Sequence, residues 1–242
     1  MLLPGRLPPA ALATLTSSAL GTSAALLPSN HLVIDAVLPG LASASSTVAY
    51  VANVTGRYDP NEGDGVVGVV VDRFAEDCKV HLGPACSFPG VLNLLAFEGA
   101  TRRNRPRINV GDVVYAVVTD AGRYEECSLA CVHEADGKSH GLGVLAGAAG
   151  NASAVVAVSL GLARALLDAP PFQKGDGASG VLRALGKRVP FEVAVGTNGR
   201  VWISAATPDA VAAVAQALGA CEGVAADKRV DAALAQLDRF GL

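Results

Sequence analysis

The chain has little charge, few aromatic residues and no long apolar run. Asp, Glu, Lys and Arg make up 17% of its 242 residues, and Phe, Trp and Tyr 5%, with a single Trp and a single Met. So low a charge, beside 51% hydrophobic residues, excludes an intrinsically disordered chain. No run of 18 or more apolar residues occurs, which excludes a membrane-spanning helix, and no membrane partner is expected. Excess basic charge is missing too. Nineteen basic residues against 22 acidic ones leave a net charge of −3, so a nucleic-acid clamp acting through bulk charge is excluded and any such contact must come from a local patch. The five cysteines, Cys78, Cys86, Cys127, Cys131 and Cys221, are odd in number and widely spaced. That pattern argues against a disulfide framework and for a reducing compartment. Ala10 to Leu27 is rich in Ala, Leu, Ser and Thr like a targeting peptide, but Pro4, Pro8 and Pro9 stand where a charged n-region belongs. A cleaved leader is not expected.

What is present divides into three. Residues 1–55 carry one Arg and one Asp and hold short apolar runs at Leu32–Leu38 and Thr47–Val54, a small β region unable to bury a core alone. Residues 56–135 have net charge −4 and five strand-like runs: Val66–Val71, Cys78–Leu82, Val91–Leu95, Val110–Val118 and Cys127–Val132. Five short strands in so few residues, separated by Gly, Pro and Asn, fit a small closed barrel of the OB type. Residues 136–242 have net charge +1 and mix helix with strand. Ser159 caps a helix over Leu160–Asp168, Val189–Val195 and Arg200–Ala205 are strands, Thr207-Pro208 opens a helix ending near Gly219, and a last amphipathic helix runs from Asp227 to Phe240. The fold class is therefore multidomain, mainly β and then α+β, with helices on one side of a small sheet.

The sharpest charge feature is Thr101-Arg102-Arg103-Asn104-Arg105-Pro106-Arg107, where four arginines fall within six positions of an otherwise acidic segment. Placed in a loop before the Val110–Val118 strand, Arg102, Arg103, Asn104, Arg105 and Arg107 are candidates for phosphate or base contact. Gly196-Thr197-Asn198-Gly199 has the letters of the Gly-x-x-Gly clamp of KH domains, which works between two helices. Its flanks here are strand-like, so Gly196, Asn198 and Gly199 read as a hairpin turn using Asn and Gly for positive φ, with Trp202 beyond it as a core or interface residue. Gly141 to Ala146 matches a dinucleotide fingerprint in letters, without a strand before it or a clear helix at it. Cys127, Cys131, His133 and His140 lack the spacing of common zinc sites, and the first three alternate on one strand face. The carboxylate pairs Glu76-Asp77 and Glu125-Glu126 fall at turns, with no motif to mark a metal-dependent nuclease. No catalytic residue, metal or cofactor is assigned.

Several of these segments together resemble a known family. Phe97-Glu98-Gly99-Ala100-Thr101-Arg102-Arg103-Asn104-Arg105-Pro106, followed by Val110-Gly111-Asp112-Val113-Val114-Tyr115-Ala116, is similar to the central domain of RNA exosome cap subunits of the ribosomal RNA-processing protein 40 type. Gly141-Leu142-Gly143-Val144, Val158-Ser159-Leu160-Gly161-Leu162 and Gly196 to Ile203 resemble the same family's KH-like domain, and Ala220-Cys221-Glu222 before the last helix is similar too. The resemblance covers roughly residues 48–242; Leu3-Pro4-Gly5 and Leu38-Pro39-Gly40 both resemble the family's N-terminal opening. It implies an N-terminal β domain (1–55), an S1-type OB barrel (56–135) and a KH-like domain (136–242). It further implies a non-catalytic subunit that stabilises a ring of proteins related to phosphorolytic ribonucleases, beside other S1/KH cap subunits. Single-stranded RNA would be guided through the channel toward a 3′-to-5′ exoribonuclease, in nucleus, nucleolus and cytoplasm. The alternatives are a stand-alone OB/KH RNA-binding regulator and, of another class, a nucleotide-binding enzyme using the Gly141–Ala146 loop.

Overall fold

A computed structural model describes residues 58–83, 86, 88–122, 125–133, 136–148, 150–167, 178–224 and 228–241, together with short strands in the first 53 residues. Those strands are β1 (Gly5–Arg6), β2 (Ala24–Leu26) and β3 (Leu32–Ala36), antiparallel in the order β1-β3-β2, and the pair β4 (Gly40–Ala44) and β5 (Ala49–Asn53). Apart from β2, the leader-like stretch Ala10–Leu27 lies outside the described residues, as do Pro170 and Pro171.

The barrel is built from β6 (Gly65–Arg73), β7 (Asp77–His81), β8 (Gly90–Asn93), β9 (Val113–Asp120) and β10 (Cys127–Ala130), so all five strands expected from the apolar runs are present. Antiparallel pairing carries β8-β7-β6-β9, and β10 closes the ring by pairing parallel to β8 and antiparallel to β9. Period-2 alternation supplies the core. Val114, Ala116 and Val118 of β9, Cys78 and Val80 of β7 and Leu92 of β8 are fully buried with Ile108 and Leu129. Gly68 permits close strand approach, since a Cβ there would sit 2.2 Å from Val80 Cγ1. β6 has a bulge between Val70 and Asp72, which leaves Val71 outside the register and exposed. A sixth strand, β11 (Gly143–Val144), pairs with β9 beyond residue 135, where the barrel was expected to end.

The second module is an antiparallel sheet in the order β12-β14-β13, from β12 (Ala152–Ala157), β13 (Phe191–Val195) and β14 (Arg200–Ala205). Among the described residues four helices accompany it: α1 (Leu160–Leu166), α2 (Ala178–Arg188), α3 (Pro208–Ala220) and α4 (Arg229–Phe240). The expected caps are made: Ser159 Oγ accepts from Leu162 N at 3.3 Å and Thr207 Oγ1 from Ala210 N at 3.3 Å. α3 runs past Gly219 to Ala220. Sequence reasoning does not anticipate α2. Gly180 and Gly186 lower its intrinsic propensity by about 1 kcal/mol each, and it forms because Val181 and Leu185 become completely buried against the other helices. Val201, Ile203 and Ala205 of β14 face the helices. Trp202 and Ser204 alternate to the opposite face and are buried too, with a Cβ on Gly147 falling 2.4 Å from Ser204 Oγ. Neither Trp202 Nε1 nor Ser204 Oγ has a partner among the described residues.

Candidate nucleic-acid interface

The two modules share a seam made by the hairpin turn. Gly196-Thr197-Asn198-Gly199 joins β13 to β14 and inserts against β6. Asn198, 5% exposed, donates from Nδ2 to Val67 O at 2.8 Å and to Leu82 O at 2.6 Å, and its Oδ1 accepts from Val67 N at 3.3 Å. Thr197 N and Oγ1 both donate to Gly65 O, at 2.8 and 3.1 Å. Arg200 Nη1 reaches His81 O at 2.8 Å, and burial pushes that guanidinium's pKa down. Gly199 has φ 75°, whereas Asn198 is not in the positive-φ region. Its role is therefore carried by the side-chain amide, a correction to the turn chemistry expected from sequence. Gly196 is needed for space: a Cβ would stand 2.2 Å from Asn198 Oδ1 and 2.7 Å from Val67 N. Leu160 of α1 joins the barrel core, so apolar contact reinforces the polar seam.

The arginine loop lies between β8 and β9 and is held at three points. Thr101 and Asn104 exchange backbone hydrogen bonds at 3.0 Å each, with Thr101 Oγ1 accepting a third from Asn104 N at 3.1 Å. Glu98 Oε2 accepts from Ser139 N at 2.9 Å, and the hydrogen bonds from Ser139 hold its carboxyl below the usual range. Arg105 turns back onto the β6–β7 turn, where Nη1 donates to Ala75 O and Nη2 faces Glu76 Oε1 at 3.4 Å. Arg102, Arg103, Asn104 and Arg107 are exposed. The structure thus brings four of the five candidates to solvent and uses Arg105 as an internal tie. The signal for that tie was the pairing of Glu76 with a cation across the barrel end, which sequence separation hides.

The other constellations do not assemble. Cys127 and Cys131 are buried in the barrel, their thiols pushed up to about 11 and about 12 mainly by burial, while His133 and His140 are exposed with rings 5.3 Å apart. Among the described residues no three His, Cys, Asp or Glu side chains could hold a metal ion. The Gly141–Ala146 stretch is the short edge strand β11 with no helix after it, unlike a dinucleotide-binding turn. Glu126 pairs with Lys79 at 2.8 Å, and Asp77 accepts from Asn93 Nδ2 at 2.9 Å.

Among the described residues, a closed five-stranded barrel locked to a helix-bearing α+β module, with an arginine apex at one rim, defines a multidomain protein with S1 and KH fold types. Comparison with known proteins agrees. Residues 58–143 match the family described as "Exosome complex component RRP40, S1 domain", and residues 154–209 match the KH domain family. The chain is 37% identical over 191 residues to the Exosome complex component RRP40 of Bos taurus, covering 79% of this chain and 64% of that protein, so it spans just under two thirds of that relative. It is 36% identical over 176 residues to exosome complex component rrp40 of Schizosaccharomyces pombe, covering 73% of this chain and 68% of the relative. A crystal structure provisionally described as an exosome complex RNA-binding protein shares the fold, with TM-score 0.55 at 18% identity over 76% of this chain and 98% of that one. The chain belongs to the exosome complex component RRP40 family.

Proposed function

We propose that this protein is a non-catalytic RNA-binding subunit of an RNA exosome. In this reading it caps and stabilises a ring of proteins related to phosphorolytic ribonucleases, beside other S1/KH cap subunits. It guides single-stranded RNA into the channel toward a 3′-to-5′ exoribonuclease, and acts in nucleus, nucleolus and cytoplasm. The observation that carries the reading is the outward presentation of Arg102 and Arg103 at the apex of an anchored loop, in a chain of the RRP40 family. Two guanidiniums on a loop whose backbone is already tied meet phosphates with only their side-chain freedom left to lose.

The test is a titration of labelled single-stranded RNA with the full chain and with the Arg102→Ala/Arg103→Ala double variant. The variant binds more weakly, and the slope of log K against log salt becomes shallower by about 0.7 for each phosphate no longer neutralised. Equal affinity and equal slope would overturn the site. Gentle purification of the native protein with mass spectrometry tests the assembly: ring and cap proteins are expected with it, and a partner-free monomer contradicts the cap role.

A further inference from the structure

Three exposed apolar residues lie on segments that backbone hydrogen bonds bring to one rim of the barrel. Val71, the bulge residue of β6, is 49% exposed, Phe74 at the start of the β6–β7 turn 50%, and Val110 before β9 63%. Val70 N donates to Asp112 O at 2.9 Å and Gly111 N to Val70 O at 2.8 Å, which sets residues 110–112 alongside 70–71. Phe74 N donates to Asp77 O at 2.8 Å and closes the turn. Arg105 grips the carbonyl of Ala75, the residue after Phe74, so the arginine loop and the phenyl ring share this rim.

Charge on the rim is unevenly committed. Glu76 faces Arg105, Asp77 accepts from Asn93, Asp72 Oδ1 accepts from Arg73 N at 2.8 Å, and Asp112 Oδ2 accepts from Asn109 N at 2.7 Å. The side chains of Arg73, Arg102, Arg103 and Arg107 make no hydrogen bond or ion pair among the described residues. The acidic groups are satisfied locally while the cations stay available.

We propose that Phe74 is a base-stacking platform for single-stranded RNA, with Arg73 and the Arg102–Arg103 apex taking the flanking phosphates. The inference rests on the RNA-binding reading above and adds a base-stacking site to it. An aromatic face beside unpaired arginines holds a single strand without reading its sequence, because every base offers a π-face. One ring and two valines fall far short of the roughly 800 Å² per partner that a stable protein interface uses, which favours a nucleotide over a protein on this rim.

The experiment titrates fluorescein-labelled oligo(A) RNA with the full chain and its variants. Phe74→Ala weakens binding about thirtyfold, the middle of the range for removing one stack, with an unchanged salt slope because every phosphate keeps its cation. Phe74→Leu, apolar but ringless, is as weak. Phe74→Trp keeps the affinity, and its fluorescence is quenched at saturation over the background of the buried Trp202. Wild-type affinity in Phe74→Ala, or an unquenched Phe74→Trp, overturns the proposal. If the Arg102→Ala/Arg103→Ala variant is then still weak, the RNA-binding reading survives without the stack; if it too binds as wild type, or the wild type binds no RNA at low salt, both fall. Intact RNA affinity with loss of co-purifying ring proteins in Phe74→Ala makes the rim a protein-docking surface, and overturns the proposal as well.

Discussion

Asn198 and Val67 exchange two hydrogen bonds across the seam between the modules: Nδ2 donates to Val67 O at 2.8 Å and Val67 N donates to Oδ1 at 3.3 Å. The side-chain amide thus behaves as one more strand residue beside β6. Only a primary amide at this length carries a donor and an acceptor in that fork, with a second donor left for Leu82 O.

Asn198→Asp therefore removes two donors and aims a carboxylate at two buried carbonyls. We expect a loss of about 3 kcal/mol in unfolding free energy, from two carbonyls left unpaired. Urea denaturation of the full chain checks it, and a loss below about 1 kcal/mol would show that the seam is not a principal brace.

Two glycine substitutions should act in opposite directions. Gly196→Ala drives a methyl to 2.2 Å from Asn198 Oδ1 and 2.7 Å from Val67 N, and is destabilising. Gly219→Ala, in the last turn of α3 with nothing within 4 Å of the new Cβ, gains about 0.5–1 kcal/mol of helix propensity. Thermal melts of the two variants against the parent measure both signs.

Arg105→Lys keeps the charge and loses the fork that reaches Ala75 O and Glu76. Amide hydrogen exchange over residues 101–107 should speed up in this variant, while the salt slope for RNA stays that of the parent. A shallower slope in Arg105→Ala, which removes the charge, would instead place Arg105 on a phosphate.

The buried thiols set an alkaline limit. Burial raises Cys127 and Cys131 in the folded chain, to about 11 and about 12, so the unfolded chain ionises first, from about 8.5 upward. A raised folded value means stability present below that pH and lost as pH climbs toward the folded values. Stability should decline from about pH 8.5, and less steeply in Cys131→Ala. A thiol reagent at pH 8 should label the half-buried Cys86 first and the four buried cysteines only on unfolding.

The parts legible in sequence are those fixed by neighbours in the chain. The five barrel strands follow from β-branched alternation, the starts of α1 and α3 from Ser159 and Thr207-Pro208, and the hairpin from a glycine-bearing turn between two apolar runs. Each depends on forces acting within a few residues, where side-chain periodicity and capping are local. The arginine cluster was equally visible, as was its place in a loop.

What only the tertiary structure decided depends on residues far apart. α2 contains two glycines and is held by burial of Val181 and Leu185 against helices distant in sequence. Val71 sits in an apolar run and yet faces solvent, because the bulge is set by pairing with β7. Arg105 reads like its neighbours and turns inward, because Ala75 O lies 30 residues back in sequence and adjacent in space. Asn198 has its partners 131 and 116 positions away. Local propensity determines which segments become strands, helices and turns; the closure of the barrel determines which polar side chains find partners and which remain free to bind.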